Sequence, residues 1–254
     1  DFKGLLHNFE AQAKISTAIG DIDLIGTSNR DNPQDNITYQ AKINSKQFDI
    51  GKFLGIEILG DGALNVDAKA KVGDLKNLKC NLVADLENFN INGNRYNSIE
   101  IEGEIYEGVV SAQCDIFDQA AMVNLNCEMD LMNNMATVLR GDLNEVNLQK
   151  MNFFNFPDTT AVISTDIVAR TNGFNLDSLR AFIDFRNAII STQSKNYDID
   201  YLNIRTRNDS TENILTLNSN ILSLVAEGKF TIPSLVEYID GFVLTYIPDF
   251  SLLN

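Results

Sequence analysis

The sequence predicts an all-β protein built as a long antiparallel sheet, and three observations predict it. The first is a period-two alternation of apolar and polar residues that recurs over most of the chain. It is clearest in Ile99-Glu100-Ile101-Glu102-Gly103-Glu104-Ile105, resumes through Val110, Ala112, Cys114 and Ile116, and returns from Ala121 to Leu131. Successive side chains of a strand point to opposite faces, so these segments carry one dry face and one wet face. The second is a series of turn-forming pairs at strand-length intervals, of which Asn92-Gly93 is the strongest hairpin signal. The third is a tandem repetition of the whole pattern.

Taken in order, residues 1–30 read as two strands, through Phe9, Ala11, Ala13 and Ile15 and then Ile22, Leu24 and Gly26. A loop dense in turn formers, Ser28 to Pro33, follows. Tyr39, Ala41 and Ile43 make the next strand. Phe48-Asp49-Ile50-Gly51-Lys52-Phe53-Leu54-Gly55 has the spacing of a single helical turn closing on glycine. Gly60-Asp61-Gly62 reads as a turn, Leu64 to Ala70 as a strand, Gly73 to Leu78 as a corner, and Cys80 to Leu86 as a strand. Phe89 and Ile91 continue that strand past a bulge. Near the end, Leu215, Leu217 and Ile221 and a segment Val225–Phe230 read as strands. Pro233 then opens a short helical stretch, Ser234–Ile239, ahead of Tyr246–Phe250.

From Val138 the grammar restarts at an offset of about 100 residues. Leu139–Leu143 answers Tyr39–Ile43, Val146–Met151 answers Phe48–Phe53, and Ile163–Asp166 answers Leu64–Asp67. Gly173–Leu179 answers Gly73–Leu78, and Asn196-Tyr197 answers Arg95-Tyr96. Two units follow, 1–137 and 138–254, the second continuing the first. A period this long describes a multi-strand unit placed next to its copy, not a short solenoid repeat.

Composition removes several classes of function. A formal charge of −15 opposes nucleic-acid binding, and 44% hydrophobic residues supply enough apolar material for a packed chain. The single histidine, His7, leaves no multi-histidine metal site and no histidine-based acid–base chemistry. Asp61, Asp67, Asp142 and Asp166 sit singly at turns or strand positions without calcium-loop spacing. No nucleophile elbow, phosphate loop or Cys-x-x-Cys pair is present, so neither an enzyme nor a cofactor is expected. Cys80, Cys114 and Cys127 read as small hydrophobes on apolar faces, although Cys114 and Cys127 lie symmetrically about the Asp118–Ala121 turn. No apolar run reaches the roughly 18 residues of a membrane span, and the chain reads as a segment of a longer protein.

An apolar face of period two is also what the inside of a closed sandwich shows. Long uninterrupted strands and the tandem unit favour an elongated curved sheet with an apolar concave side, a trough that needs an apolar occupant. The series Tyr39–Ile43, Phe48–Gly55, Gly60–Gly62 with Leu64, and Gly73–Leu78 resembles the repeat grammar of the AsmA-like family, closest to its TamB (translocation and assembly module) group. The Asn94-Arg95-Tyr96 entry fits the same pattern, in a Bacteroidetes-like wording. The resemblance spans nearly the whole chain and rests on glycines, turns and alternation. It implies a β-taco, a sheet folded lengthwise into a U-shaped hydrophobic groove with short helical turns at its edges. It also implies a periplasmic segment of an inner-membrane-anchored protein that carries phospholipid acyl chains between inner and outer membrane. An Omp85-type outer-membrane barrel is the implied partner in outer-membrane assembly.

On the alternation, the expected lining is Ile99, Ile101, Ile105, Cys114, Ile116, Val123 and Leu125 in the first copy and the strands that close it. In the second copy it is Ile183, Phe185, Leu202, Ile204, Leu215 and Leu217. The alternative occupant is an unfolded outer-membrane β-strand, held by augmentation of a free sheet edge. A third reading, a structural spacer, calls for a closed sandwich.

Overall fold

The computed structural model of the chain describes residues 1–5, 7–30, 36–71, 76–119, 121–151, 161–173, 180–191, 196–208, 212–221 and 223–230. Among them β1 (Phe2–Leu5), β2 (Asn8–Thr17), β3 (Gly20–Asn29) and β4 (Thr38–Asp49) lead into a short helix, α1 (Ile50–Leu54). There follow β5 (Asp61–Lys71), β6 (Lys79–Ile91), β7 (Asn94–Tyr106), β8 (Val109–Asp118), β9 (Ala121–Asp130) and β10 (Ala136–Asn147). After α2 (Leu148–Met151) come β11 (Val162–Asn172), β12 (Ala181–Ser191), β13 (Asn196–Asn208), β14 (Asn213–Ser219) and β15 (Ser223–Gly228). The strand order of the sheet is the sequence order, β1 to β15, and the sheet does not close into a barrel. The predicted class, a long antiparallel sheet with short helical turns, is the class observed.

Two compact units divide the chain at Asp118/Gln119. Residues 1–30 hold three strands where two were expected, β1 ending at Leu5 and β2 beginning at Asn8. The Asn92-Gly93 turn has φ of 51° and 83°, and Glu107-Gly108 has 51° and 80°. Left-handed φ at both central positions is the hairpin geometry that matches strand twist.

The helical turn after β4 forms because Asp49 caps it. Its carboxylate accepts the Lys52 backbone N–H at 2.9 Å, and Gly55 closes the turn at φ 71°. The same corner recurs after β10, where Asn147 Oδ1 accepts the Lys150 N–H at 2.9 Å. Ile50 N–H donates to the Gly60 carbonyl in the first corner and Leu148 N–H to the Ala161 carbonyl in the second. A bulge precedes each helix, between Ser45 and Phe48 and between Leu143 and Val146. On these anchors Ser45 answers Leu143, so the copies of β4 and β10 match two residues away from the correspondence read in the sequence. A shift of two preserves the faces.

The buried core gathers at these corners. Phe48, Leu64, Leu86, Phe89, Tyr96 and Ile99 are buried in the first, and Val146, Ala161 and Ala188 in the second. Gly60-Asp61-Gly62 is not a turn, since β5 begins at Asp61. Gly62 serves packing: a Cβ there would lie 2.6 Å from Phe89 Cδ2. Ile221 falls in a bend outside β14, exposed to solvent. Residues 31–35, 72–75, 174–179 and 231–254 lie outside the described residues. With them go parts of the expected loop after Ser28 and of the two Gly73-like corners, and all of the expected helical stretch after Pro233 and of Tyr246–Phe250.

Candidate functional site

Cross-strand register, more than any single residue, builds the site. In the first unit Ala13, Leu24, Ile43, Val66, Ala84, Ile101 and Cys114 are successive partners from β2 to β8. They form one apolar row running perpendicular to the strands. A second row joins Leu64, Leu86, Ile99 and Ile116, and a third joins Cys80, Ile105 and Val110. Between the first and third rows lies a lane of small side chains, in which Ala41, Ala68, Leu82, Gly103 and Ala112 are consecutive partners. Apart from Leu82 the lane is alanine and glycine, so its side chains are shorter than the isoleucines and leucines of the rows beside it.

The second unit repeats the arrangement. Leu125, Gly141, Ile167, Phe185 and Leu202 are consecutive partners from β9 to β13. Cys127, Leu139, Ala169, Ile183, Ile204 and Leu217 make the neighbouring row. Val123 faces Leu143, and Leu215 faces Thr206. All thirteen residues predicted from alternation therefore share the apolar face of their own unit. Leu24, Ile43, Val66, Leu82, Leu139 and Ala169 lie in the same rows and belong with them. The alternation that marks them is the one used for the others.

Burial separates this face from a sandwich interior. Of the thirteen residues only Ile99 is buried, at 2% exposure, and the other twelve are half-buried. Facing sheets in a sandwich would shut such residues away from water.

The rows carry no charge. Burial pushes the Cys114 thiol above its ordinary value, with Asp115 adding to the effect, and burial raises Cys127 too. All three thiols are free and half-buried, and they act as small hydrophobes. Polar atoms within the rows are tied locally. Ser28 Oγ accepts the Phe9 N–H at 3.2 Å, and Thr165 Oγ1 donates to the Arg186 carbonyl at 3.0 Å.

Two concavities lie elsewhere and are polar. One of about 830 Å³ is lined by Lys14, Asp21, Asp23, Lys46, Asp49 and Lys52 among others, and one of about 450 Å³ by Asp23, Asn44, Asp85, Glu87 and Glu100 among others. Neither follows the apolar rows of β7 and β8. Among the described residues no three His, Cys, Asp or Glu side chains are placed to hold a metal ion, and no helix is long and apolar enough to cross a membrane. No protein-family model matches the chain, and no curated protein or solved structure matches it.

Proposed function

We propose that the apolar rows hold lipid acyl chains, and that the chain is a periplasmic segment of an inner-membrane-anchored AsmA-like protein moving phospholipid towards the outer membrane. The observation that carries this reading is the continuous, half-exposed apolar face running across the strands of each unit. Each acyl methylene removed from water contributes about 0.8 kcal/mol. A row of aliphatic side chains with no deep pocket gives nearly equal affinity at every step. That is the condition for a chain to slide while its headgroup stays in water. An Omp85-type barrel as the receiving partner is part of the same proposal and rests on the family resemblance.

The test is lipid extraction and mass spectrometry of the fragment purified from a bacterial periplasm. Phospholipid should co-purify at near-stoichiometric level. Ile101→Asp places a carboxylate in the central row at a half-buried position, and it should remove the lipid while circular dichroism still reports the sheet. Unchanged lipid content in that variant would sink the reading.

The outer side of β1, unpaired among the described residues, supports a second reading. Phe2–Leu5 pairs with β2, and no other strand pairs with it among the described residues. An extended client strand could add there by main-chain hydrogen bonds. Native mass spectrometry separates the two occupants, since peptide would replace phospholipid in the bound mass.

A further inference from the structure

The polar faces of the two units differ in kind. Six of the eight arginines of the chain fall in the second unit: Arg140, Arg170, Arg180, Arg186, Arg205 and Arg207. Register places Arg140, Arg170, Arg186, Arg205 and Arg207 on the face opposite the apolar rows, with Arg170 and Arg205 on either side of Phe182. Arg170 and Arg205 are the partners of Phe182 on the two neighbouring strands, with their guanidinium carbons 5.9 and 5.1 Å from its ring centre. Arg207 stands one step along β13, and Arg180 immediately precedes β12. Asp184, on the same face, is engaged by Arg186 at 2.7 Å and by the Asn203 amide. Glu128 stands at one side of the patch and Glu227 at the other. Arginine stacked on an aromatic ring is the composition of protein interfaces more than of solvated surface.

The first unit presents the complementary pattern. Asp85, Glu100 and Asp115 are direct cross-strand partners on β6, β7 and β8, three carboxylates side by side. Like charges placed opposite one another destabilise a sheet. Glu102 and Glu104 extend the line along β7, and Val83, the partner of Glu102, is 47% exposed in the middle of it. Each patch thus has an apolar centre, Val83 or Phe182, with one sign of charge predominating around it; Asp184, engaged by Arg186, and Lys69 are the opposite charges nearest the two centres. Both patches follow the strand lattice of about 4.8 Å between strands and about 7 Å between alternate residues.

We infer that the arginine patch of one copy docks on the carboxylate patch of another, so that the chain associates with itself through its charged faces. An anionic bilayer is the poorer partner, because it offers the arginines a negative surface but nothing to receive the carboxylate patch, whereas a second copy presents both signs. The lattice gives each patch roughly 300–400 Å², well under the ~800 Å² per partner of a stable complex. The association is therefore weak and dependent on concentration and salt. Each copy carries both patches, so reciprocal dimers or open chains follow.

Sedimentation of the full chain tests this at about 0.1 M salt, where repulsion beyond roughly 10 Å is screened but contact pairs persist. The weight-average mass should rise with concentration and return to the monomer at about 1 M salt. Arg170→Glu/Arg205→Glu should stay monomeric, as should Glu102→Arg/Glu104→Arg, and mixing the two variants should restore association. A wild-type chain that remains monomeric, a charge-reversed variant that associates like wild type, or a mixture that fails to associate would each overturn the proposal. So would salt-sensitive binding of the wild type, but not of Arg170→Glu/Arg205→Glu, to phosphatidylglycerol vesicles without self-association. That result would assign the patch to phosphate headgroups.

Discussion

The corner after β4 and the corner after β10 share a backbone plan and differ in what fills and fastens it. Both have a bulge, a capped helical turn and a left-handed asparagine in the second strand beyond, Asn88 at φ 48° and Asn187 at φ 51°. In the first corner the residue after that asparagine is Phe89, at 2% exposure among the largest fully buried side chains; in the second it is Ala188. The fastening differs too. Asp49 pairs across with Asp61 in the first corner, whereas Asn147 pairs with Val162 in the second. Arg95 bridges the first corner, donating to Asp61 Oδ1 at 2.8 Å, to the Asp61 carbonyl at 3.1 Å and to the Asn88 carbonyl at 2.7 Å. One geometry is thus kept by two different sets of side chains. The repeat is a backbone design before it is a sequence.

Phe89→Ala should produce the largest contrast. It opens a cavity in the first corner and should cost about 3–5 kcal/mol, read as loss of amide protection in β5–β7. Ala188→Gly removes a single methyl and should cost no more than about 1 kcal/mol. Gly62→Ala drives a methyl against the Phe89 ring and backbone, for a loss of about 1–3 kcal/mol. Combined with Phe89→Ala, the loss should be smaller than the sum of the two single changes. Asn147→Ala removes the cap of the second corner and should cost about 1 kcal/mol, measured as faster exchange at the Lys150 amide.

Acid should act on the first corner alone. Hydrogen bonds from Lys52 hold the Asp49 carboxyl below its ordinary value, and hydrogen bonds from Gln47 and then Arg95 do the same for Asp61. A depressed carboxyl contributes stability that is complete above the unfolded value, about 3.8, and disappears as pH falls through the lower folded value. Both groups lie near solvent, so the effect is small. Amide exchange followed from about pH 5 to about pH 2.5 should show residues 48–62 losing protection ahead of residues 146–151 and 161–163. Equal loss in both segments would mean that the charged fastening contributes nothing.

Much of the fold was legible because alternation fixes faces and turn chemistry fixes hairpins. Asn92-Gly93 and the glycine closing the first helical turn stand where the residues put them, whereas ahead of Phe89 the β6–β7 register runs unshifted and Asn88 turns left-handed in place of the expected bulge. Gly62 misled because glycine marks a turn and a tight contact with the same letter, and only the neighbouring ring distinguishes them. The alignment of Tyr39–Ile43 with Leu139–Leu143 slipped by two because alternation alone carries it, and a shift of two leaves alternation unchanged, whereas Val146 answers Phe48 as read. The apolar rows were legible strand by strand, yet the lane of small residues between them was not. Nothing in a single strand tells Ala41 that it will lie beside Ala68 and not beside Val66. For the same reason the arginine patch, scattered over residues 140 to 207, becomes one surface only once register is known.

The order of the strands bears on how the chain acquires this structure. Each recorded pairing joins a strand to its immediate predecessor or successor, so no strand waits for a distant segment before it can be ordered. Low sequence separation between partners favours fast folding and shortens the exposure of unpaired edges. A chain made from its amino terminus can therefore zip up hairpin by hairpin, exposing one new edge at each step.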